Sequence, residues 1–414
     1  MTKISLTVHR STQSIGGNCI EISTSEGNRL LLDIGRPLDA PNDANNLLPE
    51  SLSQSGVVDG ILISHPHQDH YGLLEEAPDH WPVYCGEATG KLIRLTFGIF
   101  GKTIDRTFRH WQSQQPFTTG PFTITPYLTD HSAYDAYMLQ IDVGGKRIFY
   151  SGDFRIHGRK SSLVQRLMVS PPPDIDVLLM EGTNLGSSKP CMTEDDLEQD
   201  YVKLFRETKG RVFVSWSAQN IDRTVTLFRA CKKTNRTLVI DLYTAEVLEL
   251  LASQNRIPKP DWQGIKVVVT RSFAKMYKQT GREAFIQRMA KNGIAARALN
   301  DNRNRWVVMT RPSLIRDYVH NNVSPDTDDA WSWGLWSGYL KNDDGMKIQQ
   351  WFDNAGSRAA HIHTSGHASP DDLRLFANSM KAKTMVPIHG LAWDDAATGF
   401  PHITRLQDNE PLIL

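Results

Sequence analysis

Residues 64–70 read Ser64-His65-Pro66-His67-Gln68-Asp69-His70, directly after the apolar run Gly60-Ile61-Leu62-Ile63. A short apolar run ended by a polar turn reads as a buried strand delivering its next residues to a sheet edge. In extended chain, residues two apart face the same side, so His65 and His67 can grip one ion. Asp69 and His70 then begin a second site beside it. Four ligand side chains from one turn imply two adjacent cations.

The same context recurs elsewhere. Asp33 follows Leu30-Leu31-Leu32, His131 lies in Thr129-Asp130-His131-Ser132, Asp153 follows Phe149-Tyr150-Ser151-Gly152, and His389 follows Val386-Pro387-Ile388. Each places a hard or borderline ligand after a strand-like segment. Their order resembles the metallo-β-lactamase superfamily, an α/β fold in which distant loops meet at one edge of an αββα sandwich. The resemblance implies that His65, His67 and His131 hold one zinc ion, that Asp69, His70 and His389 hold another, and that Asp153 bridges them. It also implies that Asp33 supports the metal loop without binding metal. Two Zn²⁺ per chain are the expected cofactors, with Mn²⁺ a plausible substitute because carboxylates join the imidazoles. Paired cations lower the pKa of a shared water from 15.7 towards roughly 7, so the nucleophile would be solvent. Cys19, Cys85, Cys191 and Cys231 are scattered, without a C-x-x-C, and read as small buried or inert residues.

Substrate class must come from other segments. Glu181-Gly182-Thr183 follows Asp176-Val177-Leu178-Leu179-Met180, and later come His361-Ile362-His363-Thr364-Ser365-Gly366-His367 and Pro387-Ile388-His389-Gly390. These resemble the additional motifs of the β-CASP nucleases and are most similar to ribonuclease J and its bacterial relatives. The similarity implies that Glu181 orients or shares a proton with His367, and that His367 faces the scissile phosphate as stabiliser or general acid. Asp69, Glu181 and His367 form the expected catalytic set. His363, Ser365 and the backbone around Gly366 would cradle a neighbouring phosphate. Three features depart from ribonuclease J: Glu181 stands in place of an aspartate, Asp130-His131-Ser132-Ala133-Tyr134-Asp135-Ala136 is a variant of that family's histidine segment, and the chain reaches Leu414 soon after Gly390, so that enzyme's separate C-terminal domain is expected to be absent.

Residues 192–350 are long enough to form a domain of their own. Thr193 before Glu194-Asp195-Asp196 reads as a helix cap followed by first-turn acids. Then Arg211–Ser215, Asn220–Lys233, Thr237–Asp241 and Thr244–Ser253 alternate as strand, helix, strand, helix, which argues a parallel α/β layer. The resemblance makes this the inserted β-CASP cap, with 1–191 and 351–414 forming the metallo-β-lactamase domain.

The partner expected is nucleic acid, single-stranded RNA above all. Lys plus Arg and Asp plus Glu are equal at 46 each, yet residues 251–320 hold fourteen bases against four acids, an uneven layout suited to a polyanion. Arg155, with His157, Arg159 and Lys160 after Asp153, is expected to contact the substrate backbone. Trp331, Trp333, Trp336 and Tyr339 offer faces on which bases could stack. No apolar run approaches the roughly 20 residues of a membrane span, and Met1-Thr2-Lys3-Ile4-Ser5 opens into a strand, so a cytoplasmic location without membrane contact is expected. A homo-oligomer stays open. Rival readings are a DNA nuclease of the same family, a small-molecule hydrolase such as a lactonase or thioesterase, and a non-catalytic nucleic-acid-binding subunit. The inserted domain and the Ser-Gly-His triplet count against the second, the full ligand set against the third. A redox di-iron role fits poorly, since His67 stands where that branch carries an acid.

Overall fold

A computed structural model of the chain describes residues 2–41, 43–253 and 256–414. It divides into two compact units. The first runs to Arg94, resumes over Ile104–Cys191 and closes with Gly366–Leu414; the second comprises Leu95–Thr103 and Met192–Ser365.

In the first unit, strand Ile4–Arg10 pairs antiparallel with Cys19–Thr24, and that strand with Arg29–Leu32. Arg29–Leu32, Gly60–Ile63, Val83–Gly86 and Phe108–Trp111 then continue the sheet in parallel. A second sheet of six strands carries Phe122–Leu128, Tyr137–Val143 and Lys146–Tyr150 as an antiparallel meander. Val177–Met180 and Thr384–Pro387 extend it in parallel with Lys146–Tyr150. Alternate side chains from the two sheets, among them Leu6, Val8, Leu62, Ile141, Leu179 and Val386, share one core. On the opposite pleat of the second sheet, Phe149, Leu178 and Met385 pack against Val164, Leu373 and Phe376 of helices Ser161–Val169 and Pro370–Ser379. Strands covered on both faces must be apolar throughout, which is why Gly60–Ile63 and Val177–Met180 lack alternation and are wholly buried.

Parallel strands end on the same side of their sheet. That rule puts the residues after Leu32 and Ile63 side by side in one sheet, and those after Tyr150, Met180 and Pro387 side by side in the other.

The second unit holds a seven-stranded sheet in which every pairing is parallel, in the order Gly293–Ile294, Ile265–Val268, Thr237–Ile240, Trp306–Met309, Val212–Ser215, Ala330–Trp333, Arg358–Ala360. Thr193 caps helix Glu194–Glu207 in a reciprocal box, its hydroxyl accepting the Asp196 N–H at 3.1 Å while the Asp196 carboxylate accepts the Thr193 N–H at 3.0 Å. Asn220 and Asp241 cap Ile221–Lys233 and Leu242–Ala252 more simply, their side chains accepting the N–H groups of Arg223 and Thr244. The unit extends beyond the expected limit at residue 350. Strand Arg358–Ala360 pairs with Ala330–Trp333, so the chain leaves this sheet only after residue 360. Residues 95–103 also belong here, held by the Gln219 amide on Thr96 Oγ1 at 3.2 Å and by Arg282 on the Gly98 carbonyl at 2.9 Å.

Arg211 and Asp329 form a buried ion pair that ties the start of Val212–Ser215 to the start of Ala330–Trp333. Arg211 Nη2 donates to Asp329 Oδ2 at 2.8 Å, the Arg211 N–H donates to Oδ1 at 2.6 Å, and Arg303 Nη2 lies 2.8 Å from Oδ1. Removing one partner strands a buried charge, so Asp329→Ala is expected to destabilise this unit by about 3–5 kcal/mol. Chemical denaturation of the variant beside the parent protein measures it; an unchanged midpoint would refute the assignment.

Candidate metal centre

The converging loops place seven ligand-type side chains together. Ligand atoms of His65, His67 and His131 lie within 4.8 Å of one another, and so do those of Asp69, His70, Asp153 and His389. Asp153 touches both groups: its Oδ2 is 3.6 Å from His65 Nε2 and 3.1 Å from His70 Nε2, and its Oδ1 is 3.1 Å from His389 Nδ1. Asp69 Oδ2 is 3.7 Å from the Nε2 atoms of both His70 and His389.

Several features fit a cation in this cluster. Among the described residues, the buried Nε2 atoms of His65, His70 and His389 have no hydrogen-bond partner. His131 Nε2 and His67 Nδ1 face each other at 3.3 Å, a close approach of two ring nitrogens that a shared cation resolves. Burial pushes the His65, His67 and His131 imidazoles below the ordinary histidine range, towards the neutral form that ligates metal. At His70 burial acts the same way, but Asp153, Asp33 and Asp69 outweigh it and hold a proton on the ring. Burial would raise the Asp153 carboxyl, yet the neighbouring His389, His70 and His367 hold it well below the carboxylate range. A buried cluster of carboxylates and imidazoles thus borrows protons that a metal ion would displace.

Outside the cluster, Asp33 sits where the sequence suggests and binds no cluster atom except through His70. It is fully buried and accepts four hydrogen bonds: from the Ser64 N–H at 2.7 Å, Ser64 Oγ at 2.8 Å, His70 Nδ1 at 2.7 Å and Tyr150 Oη at 2.6 Å. Its bond to Nδ1 fixes the His70 tautomer and turns Nε2 into the cluster. Asp33 and His389 both adopt left-handed backbone, at φ 59° and 47°. Such strain persists only where neighbours over-determine it. The Asp33 N–H donates to the Leu62 carbonyl at 2.9 Å, and the His389 N–H donates to the Ser11 carbonyl at 2.7 Å.

Beside the cluster, His367 Nδ1 lies 3.2 Å from both oxygens of the fully buried Glu181 and 3.9 Å from Asp153 Oδ2. Glu181 is itself fixed by the N–H groups of Phe154 and Thr183, each at 3.1 Å. Burial of His367 favours its neutral form, but Glu181 and Asp153 reverse this and raise its pKa to about 9. The Asn184 amide donates to the His367 carbonyl at 2.9 Å and anchors the loop.

Gly366 contributes through its carbonyl, which lies 2.5 Å from His131 Nδ1 and so leaves Nε2 for the cluster. A side chain at 366 would collide with Ser132 Oγ and the His131 ring, so this approach requires glycine. His363 and Ser365 belong to the second unit. Burial and the nearby Arg223 lower the His363 pKa to about 4, and its Nδ1 lies 3.2 Å from the Gly334 carbonyl.

Arg155 does not reach outward as expected. It is fully buried, its Nε donating to Asp130 Oδ1 at 3.3 Å, while the Gly158 N–H donates to Asp130 Oδ2 at 2.7 Å. This pair braces the residue preceding His131, and burial removes Arg155 from any substrate. Sequence reasoning also missed Asn18, whose side-chain amide lies 3.1 Å from His389 Nδ1 and 3.2 Å from Tyr150 Oη. Its position after Gly16-Gly17 at a strand start was the only available signal.

A family profile described as "Beta-lactamase superfamily domain" matches residues 28–240, slightly more than half of the chain. The chain belongs to the metallo-β-lactamase superfamily. Its α/β architecture with packed sheets meets that expectation. The chain is 26% identical over 394 residues to a protein named ribonuclease J from Helicobacter pylori (strain B128), covering 91% of this chain and 54% of that one. It is 24% identical over 350 residues to ribonuclease J from Mycobacterium tuberculosis (strain CDC 1551 / Oshkosh), covering 80% and 58%. The chain therefore spans little more than half the length of these relatives. A crystal structure of a protein of unknown function from Enterococcus faecalis V583 shares the fold across the whole of both chains, with a TM-score of 0.78 and 18% identity. No helix among the described residues is long and apolar enough to cross a membrane.

Substituting Asp33 by Asn keeps the shape and tolerates the left-handed backbone, but removes the charge that orients His70. Asp33→Asn is expected to weaken divalent-metal binding about 10- to 100-fold. Titration against a chromogenic chelator tests this; unaltered affinity would mean that Asp33 does not tune the centre.

Proposed function

We propose that this protein is a metal-dependent nuclease that hydrolyses phosphodiester bonds of single-stranded RNA, its inserted unit being a β-CASP cap. The observation that carries the reading is Asp153 shared between two ligand groups, with the Glu181–His367 pair alongside. The likeness to proteins named ribonuclease J supports RNA as the substrate class. In this reading His65, His67 and His131 would hold one Zn²⁺ and Asp69, His70 and His389 a second, with Asp153 contributing to both sets and Mn²⁺ able to substitute. When bound, such a pair supplies Lewis acidity towards the phosphate and lowers the pKa of water at the site.

The chain's own groups provide the rest. Glu181, fixed by two backbone N–H groups and held against Nδ1, fixes the imidazolium of His367, which donates a proton to the leaving alkoxide as a water oxygen bonds to phosphorus and the P–O bond to the alkoxide breaks. His131, held by the Gly366 carbonyl, and His70, held by Asp33, keep their ligating nitrogens aimed at the cluster. Four free cysteines among the described residues suit a reducing compartment, in keeping with action in the cytoplasm.

Asp69→Ala is expected to abolish cleavage of 5′-labelled single-stranded RNA while leaving the circular dichroism spectrum unchanged. Excess chelator should do the same to the parent protein, with Zn²⁺ or Mn²⁺ restoring activity. Full activity in the variant would sink the two-metal assignment, and cleavage of matched DNA alone would move the substrate to DNA. Glu181→Gln is expected to lower kcat about 10²- to 10⁴-fold with little change in KM. Adding His367→Ala to it should cost little more, because both changes disable one unit; fully additive losses would separate their roles.

A further inference from the structure

The second unit carries an exposed aromatic surface. Trp336 is 58% and Tyr339 49% exposed, and their rings meet edge to face at 5.4 Å. Of the four aromatic residues expected to offer stacking faces, only these two are open. Trp331 stacks on Phe352 at 4.9 Å inside the core, and Trp333 is equally buried.

The segment beneath the exposed rings is fixed at successive residues. Gly334 donates its N–H to the Ser215 carbonyl at 2.9 Å, and its own carbonyl accepts from the buried Arg223 Nη1 at 3.0 Å. The Leu335 carbonyl lies 3.1 Å from His361 Nε2, and the Trp336 carbonyl accepts from Trp333 Nε1 at 3.1 Å. The indole itself lies over Gly338, where any side chain would collide with the ring. Two large apolar side chains are thus exposed, yet the backbone bearing them has little freedom left to lose on binding.

Net charge favours a polyanionic occupant. The second unit holds 27 Lys/Arg against 20 Asp/Glu, while the first holds 19 against 26. An immobilised aromatic surface on the basic unit suits a polyanion whose bases are unpaired and present π-faces. We propose that Trp336 and Tyr339 form a stacking platform for unpaired bases of a single-stranded nucleic acid, Trp336 being the principal contact. This rests on the nuclease reading for its substrate, but not on the metal cluster for its evidence.

Fluorescence anisotropy of fluorescein-labelled oligoadenylate, oligouridylate and a matched RNA duplex, with excess EDTA to prevent hydrolysis, tests the platform. Trp336→Ala is expected to weaken oligoadenylate binding roughly 5- to 100-fold and oligouridylate binding less, with Trp336→Phe retaining most of the affinity. Duplex binding and the slope of log Kd against log salt should stay unchanged, since no phosphate contact is removed. Gly338→Ala should weaken binding with the indole still present, because it displaces the ring. Equal affinity of Trp336→Ala and parent protein for single strands would overturn the proposal, as would an equal loss on duplex. So would a parent dimer, seen by sedimentation, that Trp336→Ala dissolves, because the surface would then serve a second copy of this chain.

Cleavage by the parent protein is measured in parallel. Cleavage with Trp336-independent binding fells the platform alone. Trp336-dependent binding without cleavage fells the nuclease reading alone, and absence of both activities fells both.

Discussion

The carboxylate of Asp153, buried among imidazoles from both sheets, is the interaction on which the first unit turns. An isolated charge there would be prohibitively costly, and the surrounding rings neutralise it only by carrying protons of their own. Everything adjacent limits that cost. Asp33 draws Ser64, His70 and Tyr150 into one buried network, so a residue of the second sheet is tied to the ligand loop of the first. The strained backbones of Asp33 and His389 are tolerated because the strand ends on either side leave those residues no other position. Core packing and site geometry are therefore one problem: the parallel pairings that bury Leu62 and Leu179 also fix where His65 and Glu181 emerge.

Much of this was legible in the sequence because metal chemistry needs particular residue types at particular strand ends. Ligands such as His65, Asp153 and His389 follow short apolar runs, and that context is a local signal. The Thr193 cap of the second unit was equally readable, since Thr followed by acids has few other meanings, whereas Asn220 and Asp241, read as parts of a helix and a strand, are caps as well. What could not be read were properties that depend on which face packs against what. Arg155 looked like a surface cation beside a ligand, but Asp130 captures it internally. Trp331 and Trp336 stand five residues apart, yet Trp331 lies in the strand Ala330–Trp333, buried at every position, while Trp336 follows the strand's end and is exposed, a boundary that the run of aromatics does not mark. Asn18 gave no signal beyond the glycine pair before it, because an amide contacting a histidine from a distant loop leaves no trace in spacing. The reach of the second unit to Ser365 was hidden likewise, since Arg358–Ala360 is too short, and too poor in β-branched or aromatic residues, to announce itself as a strand.

The two units solve burial differently. The first mixes antiparallel and parallel pairing, so one edge can gather polar loops while the sheets hide their apolar faces against each other. The second uses parallel strands throughout, and its charged groups are handled by pairs such as Arg211–Asp329 that join strand starts and not strand ends.

The ligand groups are drawn from His65 to His389, with the whole of Met192–Ser365 intervening between Asp153 and the last ligand. During synthesis, a chain that has emerged as far as the second unit still lacks His389 and the Gly366 carbonyl that steadies His131. Closing so long an excursion is slow compared with forming local helices, because loop entropy is lost before the distant contacts form. A chain released only that far cannot complete the ligand set, and the centre is assembled only once the returning strand Thr384–Pro387 has docked beside Val177–Met180 and brought His389 with it.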